Sequence, residues 1–598
     1  MRDFAEHHEA HQDKHLLARL LGYLKPYIGQ FIGAFALMIF STITSTVLPL
    51  VQGILIDKMI DDAVSYNDKM LFLVYIGIAM ISILALSVTI SFFQQMMLQR
   101  IGQQVTLDMR VSTFTHIEGL SIGQINQLPV GKLVTRATND PNNISDMFTN
   151  TIVNLIRNFI TILITGVILF VINWLMALIL IPSIILLLIT SQIFRKFSRK
   201  TYRQVRNNVS EINAFLSENL SGIKITQIFN QEEKKKQQFN VINTNLKKSY
   251  FKEILVFGIY RPVIYFISMV ATISSIYFGA QAVFGGVLSV GLFISFYIYI
   301  GQFFEPIQQI SEQFNALQNG FASAEKIFDV LDTKPDIVDD EDAIELTSFS
   351  GSIEFKNVWF QYIEDEWVLK DISFVVKPDE TVAFVGATGS GKTTILQLIV
   401  RNYDIQKGEI LIDGINIKRI KRSSLRQFIG QMLQDVFLFS GTIRDNITLH
   451  DEEITDDDIK RASDYVGLNY VLNKLPEGLN HEVRERGNNF SSGERQLISF
   501  ARAVVYKPSL MILDEATANI DSETESIIQE SLEKMMNIST MLIVAHRLST
   551  IQHSDKIIVM QKGEIKEIGN HQTLLKNKGL YYNLYQLQYD QKEVETNA

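Results

Sequence analysis

The sequence predicts two kinds of domain in one chain: an all-α domain of six membrane-spanning helices, followed by an α/β domain of the P-loop type. Three observations lead to this prediction. Long apolar runs fill the chain between Phe31 and Ile307. After Phe328 the pattern changes to short apolar strands that alternate with helical stretches, which is typical of a mostly parallel sheet covered by helices. One of those strands runs directly into the glycine-rich segment GATGSGKTT.

The composition excludes several classes of protein. With 47% hydrophobic and only 20% charged residues among 598, the chain is too apolar to be disordered. It has no cysteine, which excludes disulfides, thiolate metal sites and a cysteine nucleophile. The net charge is −9 and no tract resembles a basic nucleic-acid footprint, so we expect no nucleic-acid partner. The opening MRDFAEHHEAHQDKHLL lacks the apolar stretch that a secretory signal requires.

Six apolar stretches are long enough to cross a bilayer, because about 20 residues at 1.5 Å each span a hydrocarbon core of roughly 30 Å. The third and fourth stretches are joined only by Asn173 and Trp174, so these two helices are predicted to be antiparallel neighbours. The six predicted spans lie near 31–56, 70–97, 152–172, 174–194, 256–282 and 287–307.

The polar segments between the spans predict the orientation in the membrane. Segments 98–151 and 195–255 are long, mostly helical in pattern and rich in Lys and Arg, whereas the turns after the third and fifth spans have neither. The positive-inside rule therefore places the long segments in the cytoplasm. An even number of spans then places both termini there, so we expect a multi-pass protein of the cytoplasmic (plasma) membrane, in contact with the lipid bilayer.

Composition also predicts the domain boundaries. The run DTKPDIVDDEDAIE is charged and contains proline, as linkers do. After it, the predicted strands include GSIEFKNVWF, TVAFVGA, GEILIDG and LMILDEA. The predicted divisions are an N-terminal cytoplasmic arm, 1–29, a membrane domain, 30–328, a linker, 329–350, and a nucleotide-binding ATPase domain, 351–598.

The segment from Gly386 to Thr394 satisfies the P-loop pattern between a predicted strand and a predicted helix. Its glycines allow backbone N–H groups to close around phosphates at a helix N-terminus. Lys392 can reach the β- and γ-phosphates, and the Thr393 hydroxyl can ligate Mg²⁺. The predicted cofactors are therefore ATP and Mg²⁺. The predicted nucleotide-binding residues of the loop are Gly386, Ala387, Thr388, Gly389, Ser390, Gly391, Lys392, Thr393 and Thr394.

Two acidic residues end the apolar strand LMILDEA. At the tip of a strand, Asp514 can hold Mg²⁺ through water, and Glu515 can orient the water that attacks the γ-phosphate. Adjacent acids after a strand are often only capping residues, but the P-loop in the same chain favours the catalytic interpretation.

With these motifs, the carboxyl-terminal half resembles an ATP-binding-cassette (ABC) nucleotide-binding domain, whose accessory motifs occur in the same order. The resemblance implies that Tyr362 stacks on adenine, that Gln434 in MLQDVFLF is the Q-loop residue that touches Mg²⁺, and that His546 in LIVAHRLST is the H-loop residue. Asp521 in TANIDSETE matches the D-loop. The implied catalytic residues are Lys392, Gln434, Glu515 and His546, and the implied metal ligands are Thr393, Gln434 and Asp514.

The segment FSSGE stands where the family has the signature LSGGQ, which contacts the nucleotide of the partner subunit. Ser492 replaces a glycine and Glu494 a glutamine, so an added side chain and a carboxylate oppose the approach to phosphate. The chain's own catalytic motifs match the family. This asymmetry resembles the consensus-Walker-B subunit of heterodimeric bacterial multidrug exporters, and a homodimer with a variant signature is the alternative. The implied signature residues are Ser491, Ser492, Gly493 and Glu494.

The amino-terminal half is similar to the fused transmembrane domain of the family's exporters, in which two cytoplasmic loops press coupling helices onto the ATPase. EVRERG resembles the cassette segment that meets these loops. Several residues of these loops match the family's pattern and are either coupling residues or ordinary helix-surface positions. These are Leu120, Pro129, Gly131, Arg136, Asn139 and Asp140 in the first loop and Glu218, Gly222, Gln227 and Glu232 in the second.

Some polar and aromatic residues in unusual places have several interpretations. Arg157, Arg261 and Glu305 lie within apolar spans, where snorkelling or an Arg261–Glu305 ion pair is the simpler alternative to substrate recognition. Aromatic residues of the last two spans either pack or line a drug cavity; they are Tyr260, Tyr265, Phe266, Phe293, Phe296, Tyr297, Tyr299 and Phe303. A solvated tail or a metal site explains the N-terminal histidines, His7, His8, His11 and His15.

The resemblance implies an ATP-driven exporter half that works by alternating access on small amphiphilic compounds, drugs or lipids, together with a second half-transporter. A homodimeric flippase and an ATP-gated channel or regulator of the same architecture are the alternatives. A soluble cassette protein lacks fused spans, and an uptake system keeps membrane and ATPase parts on separate chains. A peptide-processing exporter needs a cysteine protease, which a chain without cysteine cannot supply.

Overall fold

The computed structural model describes residues 16–61, 63–514, 522–536, 539–544 and 551–587. The chain forms two units. The first, the membrane unit, holds the chain up to Glu118 together with Pro129–Thr333; the second, the nucleotide-binding unit, holds Gly119–Leu128 and the chain from Lys334 onward. The short segment Gly119–Leu128 therefore belongs with the nucleotide-binding unit, although it lies in the first predicted cytoplasmic loop.

Long helices make up the membrane unit. A 3₁₀ turn, Lys25–Tyr27, joins the first two, and a π-helical turn, Met147–Ile152, joins the fifth and sixth. In chain order the helices are α1 (16–24), α2 (Ile28–Ile60), α3 (Tyr66–Gly119), α4 (Ile122–Gln127), α5 (Val130–Asp146), α6 (Val153–Ile172), α7 (Trp174–Ser221), α8 (Ile223–Ile228), α9 (Glu232–Phe284) and α10 (Val290–Asp332), of which α4 is part of the nucleotide-binding unit.

Six helical stretches among the described residues are long and apolar enough to cross a membrane, which confirms the predicted number. Helices α3 and α9 have 54 and 53 residues. At 1.5 Å per residue each is about 80 Å long, well beyond a hydrocarbon core of roughly 30 Å. The polar segments between the predicted spans are therefore mostly extensions of the spanning helices.

The turn between α6 and α7 is as short as the sequence predicts. Asn173 alone separates the helices; its backbone is extended and its side chain accepts a hydrogen bond from the Met176 amide at 3.1 Å. An asparagine at this position caps the new helix, because its side-chain oxygen satisfies an amide that has no partner in the first turn.

The predicted N-terminal arm is not all solvated. Residues 16–24 form α1, in which Leu20 and Leu24 are buried against the end of α10. The Arg19 guanidinium lies 2.6 Å from the Asp332 carboxylate and 4.1 Å from the centre of the Phe328 ring. The four histidines of the arm lie outside the described residues.

Twelve strands lie in the described part of the nucleotide-binding unit. They form a six-stranded sheet of order β12-β11-β3-β10-β9-β6, a four-stranded sheet of order β2-β1-β4-β5, and a pair, β7-β8. The strands are β1 (Ile353–Gln361), β2 (Trp367–Val376), β3 (Thr381–Val385), β4 (Lys407–Ile412), β5 (Ile415–Asn416), β6 (Ile429–Met432), β7 (Gly441–Thr442), β8 (Glu482–Val483), β9 (Leu510–Asp514), β10 (Thr540–Val544), β11 (Lys556–Gln561) and β12 (Glu564–Gly569).

The helices of this unit follow between the strands. They are α11 (Lys392–Ile399), α12 (Arg422–Gln427), α13 (Ile443–Thr448), α14 (Asp456–Tyr465), α15 (Asn469–Leu472), α16 (Ser492–Val505), α17 (Ser522–Met535), α18 (His571–Asn577) and α19 (580–587).

The prediction of one mostly parallel sheet holds for five neighbouring strands, β11, β3, β10, β9 and β6, which pair in parallel. It is wrong for GSIEFKNVWF and GEILIDG, which form β1 and β4 of the separate antiparallel sheet. The physical reason lies in burial: β3, β9 and β10 of the parallel sheet are buried at every position, whereas β1 and β4 both include exposed residues.

Alternate residues of the parallel strands face two different cores. Val382 and Phe384 of β3 pack with the antiparallel sheet, whereas Ala383 and Val385 pack with α13, α16 and α17. This alternation follows from the two-residue period of a strand. The parallel sheet is thereby fixed between two layers, and its carboxyl-terminal edge is a rigid base for the loops that follow the strands.

Candidate nucleotide-binding site

The order of the parallel strands brings the predicted motifs to one edge of the sheet. Strand β3 ends at Val385, just before the P-loop, and β9 ends at Asp514. Strand β10 pairs with both, so that Val544 lies opposite Phe384 on one side and Asp514 on the other. Ligands of such sheets bind beyond the carboxyl ends of the strands. The sheet therefore places the P-loop and Asp514 where one ligand can contact both.

The P-loop leaves space for a ligand. Gly389 has φ +79° and nothing lies within 4 Å of the position that its Cβ would take, and Gly391, with φ +101°, is the N-cap of α11. Ser390 is only 3% exposed, and its hydroxyl has no hydrogen-bond partner in the described structure. A buried hydroxyl without a partner is costly, so this loop fits an anion with several acceptor oxygens.

Lys392 is held against the backbone of the loop. Its side chain is 5% exposed, and Nζ donates to the carbonyl oxygens of Gly386 at 2.8 Å and Ala387 at 3.1 Å. Burial of an ammonium group is unfavourable unless acceptors surround it. The charge is thereby positioned at the loop that would receive the phosphates.

Thr393 and Asp514 meet directly. The Thr393 hydroxyl lies 3.2 Å from Asp514 Oδ1, and Asp514 is 7% exposed at the last position of β9. A hydroxyl and a carboxylate are the oxygen ligands that Mg²⁺ takes from proteins beside nucleotide phosphates. The residues present therefore fit a magnesium ion at this point.

Tyr362 presents a half-exposed aromatic ring near the same loop. Its hydroxyl lies 3.2 Å from the Thr394 Oγ1, and its ring stands edge-on to Phe360 and Tyr403, with centroids 4.8 and 5.0 Å away. Burial raises the pKa of the Tyr362 phenol, so the ring stays neutral at physiological pH. A neutral ring of 46% exposure offers a face for a nucleotide base.

The structure describes only some of the remaining predicted residues. Gln434 is exposed and lies two residues after β6. Glu515, Asp521 and His546 lie outside the described residues.

The variant signature forms the N-terminal cap of helix α16. Ser491 is the N-cap of α16, its hydroxyl accepts from the Glu494 amide at 3.2 Å, and Glu494 Oε2 accepts from the Ser491 amide at 2.8 Å. This is a capping box, for which the sequence signal is a serine followed three residues later by Glu or Gln. The Glu494 carboxylate therefore interacts with the positive end of its own helix. Sequence reasoning missed this role, although Ser-x-x-Glu signals it.

The first predicted coupling segment is divided between the two units. In the nucleotide-binding unit, Ser121 caps α4, and Gln124 Nε2 donates to the carbonyl oxygen of Lys334 at 2.8 Å. In the membrane unit, Arg136 pairs with Asp140 at 2.7 Å, and Asp140 accepts from the Ser323 hydroxyl of α10 at 2.8 Å. Arg136 and Asp140 thus hold α5 on α10.

Two of the charged residues in the spans have amide partners. Arg157 donates to Gln94 Oε1 at 2.9 Å, and Glu305 Oε1 accepts from Gln309 Nε2 at 3.3 Å. The contact described for Glu305 is thus with a residue one turn further along α10, and an ion pair with Arg261 stays one of the alternatives.

The aromatic residues of the last two spans differ in burial. Packing explains the buried ones: Phe194 of α7, for example, stacks on the Tyr260 ring with centroids 3.7 Å apart. The buried residues are Tyr260, Phe296, Tyr299 and Phe303, the half-buried one is Phe293, and the exposed ones are Tyr265, Phe266 and Tyr297.

Residues 31–307 match the family model of the ABC transporter transmembrane region, and residues 369–518 match the ABC transporter model. The chain therefore belongs to the ABC transporter family. It is an exporter half in which membrane region and ATPase are fused, a multi-pass membrane protein that couples ATP hydrolysis to transport.

Three similar proteins illustrate this membership. The chain is 38% identical to a probable multidrug resistance ABC transporter ATP-binding/permease protein, YheH, of Bacillus subtilis (strain 168), covering 85% of this chain and 76% of that protein. It is 34% identical to the ATP-dependent lipid A-core flippase of Syntrophus aciditrophicus (strain SB), covering 90% of each. A solved bacterial Atm1-family ABC exporter with ATP bound has a TM-score of 0.79 at 25% identity, covering 94% of this chain and 98% of that one.

Proposed function

We propose that this chain is the ATP-hydrolysing half of a dimeric exporter in the cytoplasmic membrane, which moves amphiphilic drugs or lipids out of the cell by alternating access. The observation that carries the proposal is the juxtaposition of Ser390, Lys392, Thr393 and Asp514 at one edge of the sheet, in a chain with six spanning helices. Relatives named for multidrug resistance, lipid A and fatty acid transport support amphiphiles as the substrate class.

The site residues have separate roles in this proposal. The P-loop amides and Lys392 hold the phosphates of ATP, and Thr393, Asp514 and Gln434 would hold Mg²⁺, which neutralises phosphate charge when bound. Glu515 orients the attacking water, and His546 contacts the γ-phosphate. Asp521 and the signature act across the interface with the second subunit.

A second subunit is supported by an exposed apolar segment in the second cytoplasmic loop. No residue of α8 is buried, and Ile225, Ile228 and Phe229 are 64%, 74% and 67% exposed. Three large apolar side chains on so short a segment are unfavourable in water. We propose that the nucleotide-binding domain of the partner half covers these three side chains.

The partner is proposed to be a different half-transporter with a consensus signature. A composite site needs the P-loop of one chain and the signature of the other, so two copies of this chain would pair two intact catalytic sets with two variant signatures. A homodimer is the second candidate, and the capping box favours it in one respect: the Glu494 carboxylate is engaged by its own helix rather than free to repel phosphate.

Tyr362→Ala is expected to weaken ATP binding by about 1 to 2 kcal/mol through loss of base stacking. Tyr362→Trp should bind ATP as the native chain does, because indole offers a larger stacking face. A nucleotide titration of the purified chain checks both variants. Equal affinities of the Ala and Trp variants would exclude Tyr362 as the stacking residue.

Purified alone, the chain is expected to hydrolyse ATP slowly, and Ser492→Gly with Glu494→Gln should raise the rate about tenfold by reopening the approach to phosphate. Glutamine also completes a capping box, so α16 should keep its cap. Glu494→Gln alone is the matched control. Fast, amphiphile-stimulated hydrolysis by the native chain as a homodimer would contradict the heterodimer.

Export itself is tested in inside-out membrane vesicles from cells that produce the chain with the half-transporter that copurifies with it. A fluorescent amphiphile should enter these vesicles when ATP is added, and Lys392→Ala should abolish the entry. Entry that does not depend on ATP, or ATP-dependent exit, would contradict an exporter.

A further inference from the structure

Tyr403 lies where three elements of the nucleotide-binding unit meet: the loop of Tyr362, the segment after α11, and helix α4. Its ring is edge-on to that of Tyr362, at an interplanar angle of 84° and a centroid distance of 5.0 Å. A Cβ on Gly123 of α4 would lie 2.7 Å from Tyr403 Cε1. Only glycine therefore allows α4 to approach this ring so closely.

The backbone on both sides of Tyr403 is held by buried polar contacts. Arg401 is 2% exposed, and its guanidinium lies 3.2 Å from the carboxylates of Asp404 and Asp339. The Asn402 side chain accepts from Arg426 at 3.0 Å. Because these contacts resist a shift of the backbone, a displacement of α4 toward this segment acts on the Tyr403 ring.

Helix α4 is fixed to the same frame through the linker. Gln124 donates to the carbonyl oxygen of Lys334 at 2.8 Å and accepts from the Asp336 amide at 3.3 Å. Three residues further on, Asp339 pairs with Arg401. The Tyr362 ring, which contacts Tyr403, is 46% exposed.

We propose that Tyr403 is a positioning residue that couples α4 to the ring of Tyr362, so that a base stacked on Tyr362 and the position of α4 depend on each other. The proposal rests on the proposed base-stacking role of Tyr362. Close-packed aromatic rings transmit displacement because no empty space absorbs it. Helix α4 is joined covalently to α3 and α5, which belong to the membrane unit.

Coupling of this kind is reciprocal: if base binding moves α4, a change at α4 must alter base binding by the same factor. Gly123→Ala inserts a methyl group against Tyr403, and we expect it to weaken ATP binding about five- to tenfold. Inorganic tripolyphosphate, which reaches the P-loop but has no base, should bind with unchanged affinity. Gly119→Ala is the matched control, because its Cβ meets nothing within 4 Å.

Combining Gly123→Ala with Tyr403→Ala tests whether the contact between residue 123 and the Tyr403 ring causes the loss of ATP affinity. Without the ring, the methyl group of Gly123→Ala has room, so the substitution should change ATP affinity by less than about twofold there. Equal losses for ATP and tripolyphosphate, or an equal effect of Gly123→Ala with and without the Tyr403 ring, would overturn the proposal. If Gly123→Ala does not fold, Tyr403→Leu replaces it and should give the same loss for ATP alone.

A reporter on α4 tests the opposite direction. Because the chain has no cysteine, Asn126→Cys, at an exposed position of α4, gives one labelling site for an environment-sensitive fluorophore. ATP should change its emission, tripolyphosphate should not, and Tyr403→Ala should remove the response to ATP. The same response to both ligands, or one that persists in Tyr403→Ala, would overturn the coupling.

Tyr362→Ala separates the two possible failures. If it binds ATP as tightly as the native chain, the stacking role proposed for Tyr362 is wrong. The other outcome is that Tyr362→Ala loses affinity for ATP but not for tripolyphosphate, while Gly123→Ala and Tyr403→Leu bind both ligands as the native chain does. In that case the stacking role stands and only the coupling through Tyr403 is wrong.

Discussion

Glu515→Gln is expected to leave ATP binding unchanged and to lower the rate of ATP hydrolysis at least about a hundredfold. Glutamine keeps the shape of the side chain but cannot accept a proton from the water or hold it by charge. The P-loop, Lys392 and the Thr393–Asp514 pair still bind the nucleotide. The variant should therefore accumulate bound ATP, which a titration and a turnover assay on the same preparation measure.

The control for this prediction is Glu477→Gln, which removes the same charge at an exposed position of the nucleotide-binding unit. It should hydrolyse ATP at the native rate. Near-native hydrolysis by Glu515→Gln would mean that another group activates the water, and the assignment of Glu515 would be wrong.

Lys392→Ala is expected to weaken ATP binding at least about tenfold, because it removes the cation that the loop holds against Gly386 and Ala387. Hydrolysis and transport should disappear with it at ATP concentrations near the native dissociation constant. Isothermal titration with ATP measures the effect directly.

Lys418→Ala is the matched control for Lys392→Ala, since this lysine is exposed and belongs to the short turn after β5 rather than to the P-loop. It should bind ATP as the native chain does. Unchanged affinity in Lys392→Ala would show that the buried ammonium serves only the fold of the loop, and the P-loop assignment would have to be abandoned.

Features of the sequence that depend on local pattern were predicted well. The six spans follow from runs of apolar residues, and the strand and helix that flank Gly386–Gly391 follow from the change there from an apolar run to glycines. Strand β9 was recognisable because LMILD is continuously apolar, and the structure buries all five residues. In each case neighbouring residues in the chain carry the information.

Features that depend on contacts between distant residues were not predicted. Strands β1 and β4 pair although they are about fifty residues apart in the chain, and nothing in their residue patterns reveals which sheet they join. Tyr403 is one tyrosine among 20, and only the fold shows that it touches both Gly123 and Tyr362. The pairing of Arg401 with Asp339 is of the same kind.

The Glu494 capping box is a different kind of omission, because a local signal was present. Ser491 followed three residues later by Glu494 is the capping-box pattern, and the same residues lie in the signature that faces a partner's nucleotide. The structure gives that carboxylate an acceptor role at Ser491, so its substitution has to be judged on both functions.

If ATP hydrolysis in this chain drives a substrate uphill, the protein is a pump and not an ATP-gated channel of the same architecture. The direct measurement uses proteoliposomes that contain the chain and the half-transporter with which it copurifies. The amphiphile that best stimulates hydrolysis is present at equal concentrations inside and outside the proteoliposomes. With ATP outside, the internal concentration should rise above the external one and stay there until ATP is exhausted. If the internal and external concentrations stay equal in the presence of ATP, and ATP only accelerates the exchange of labelled compound across the membrane, the protein is not a pump.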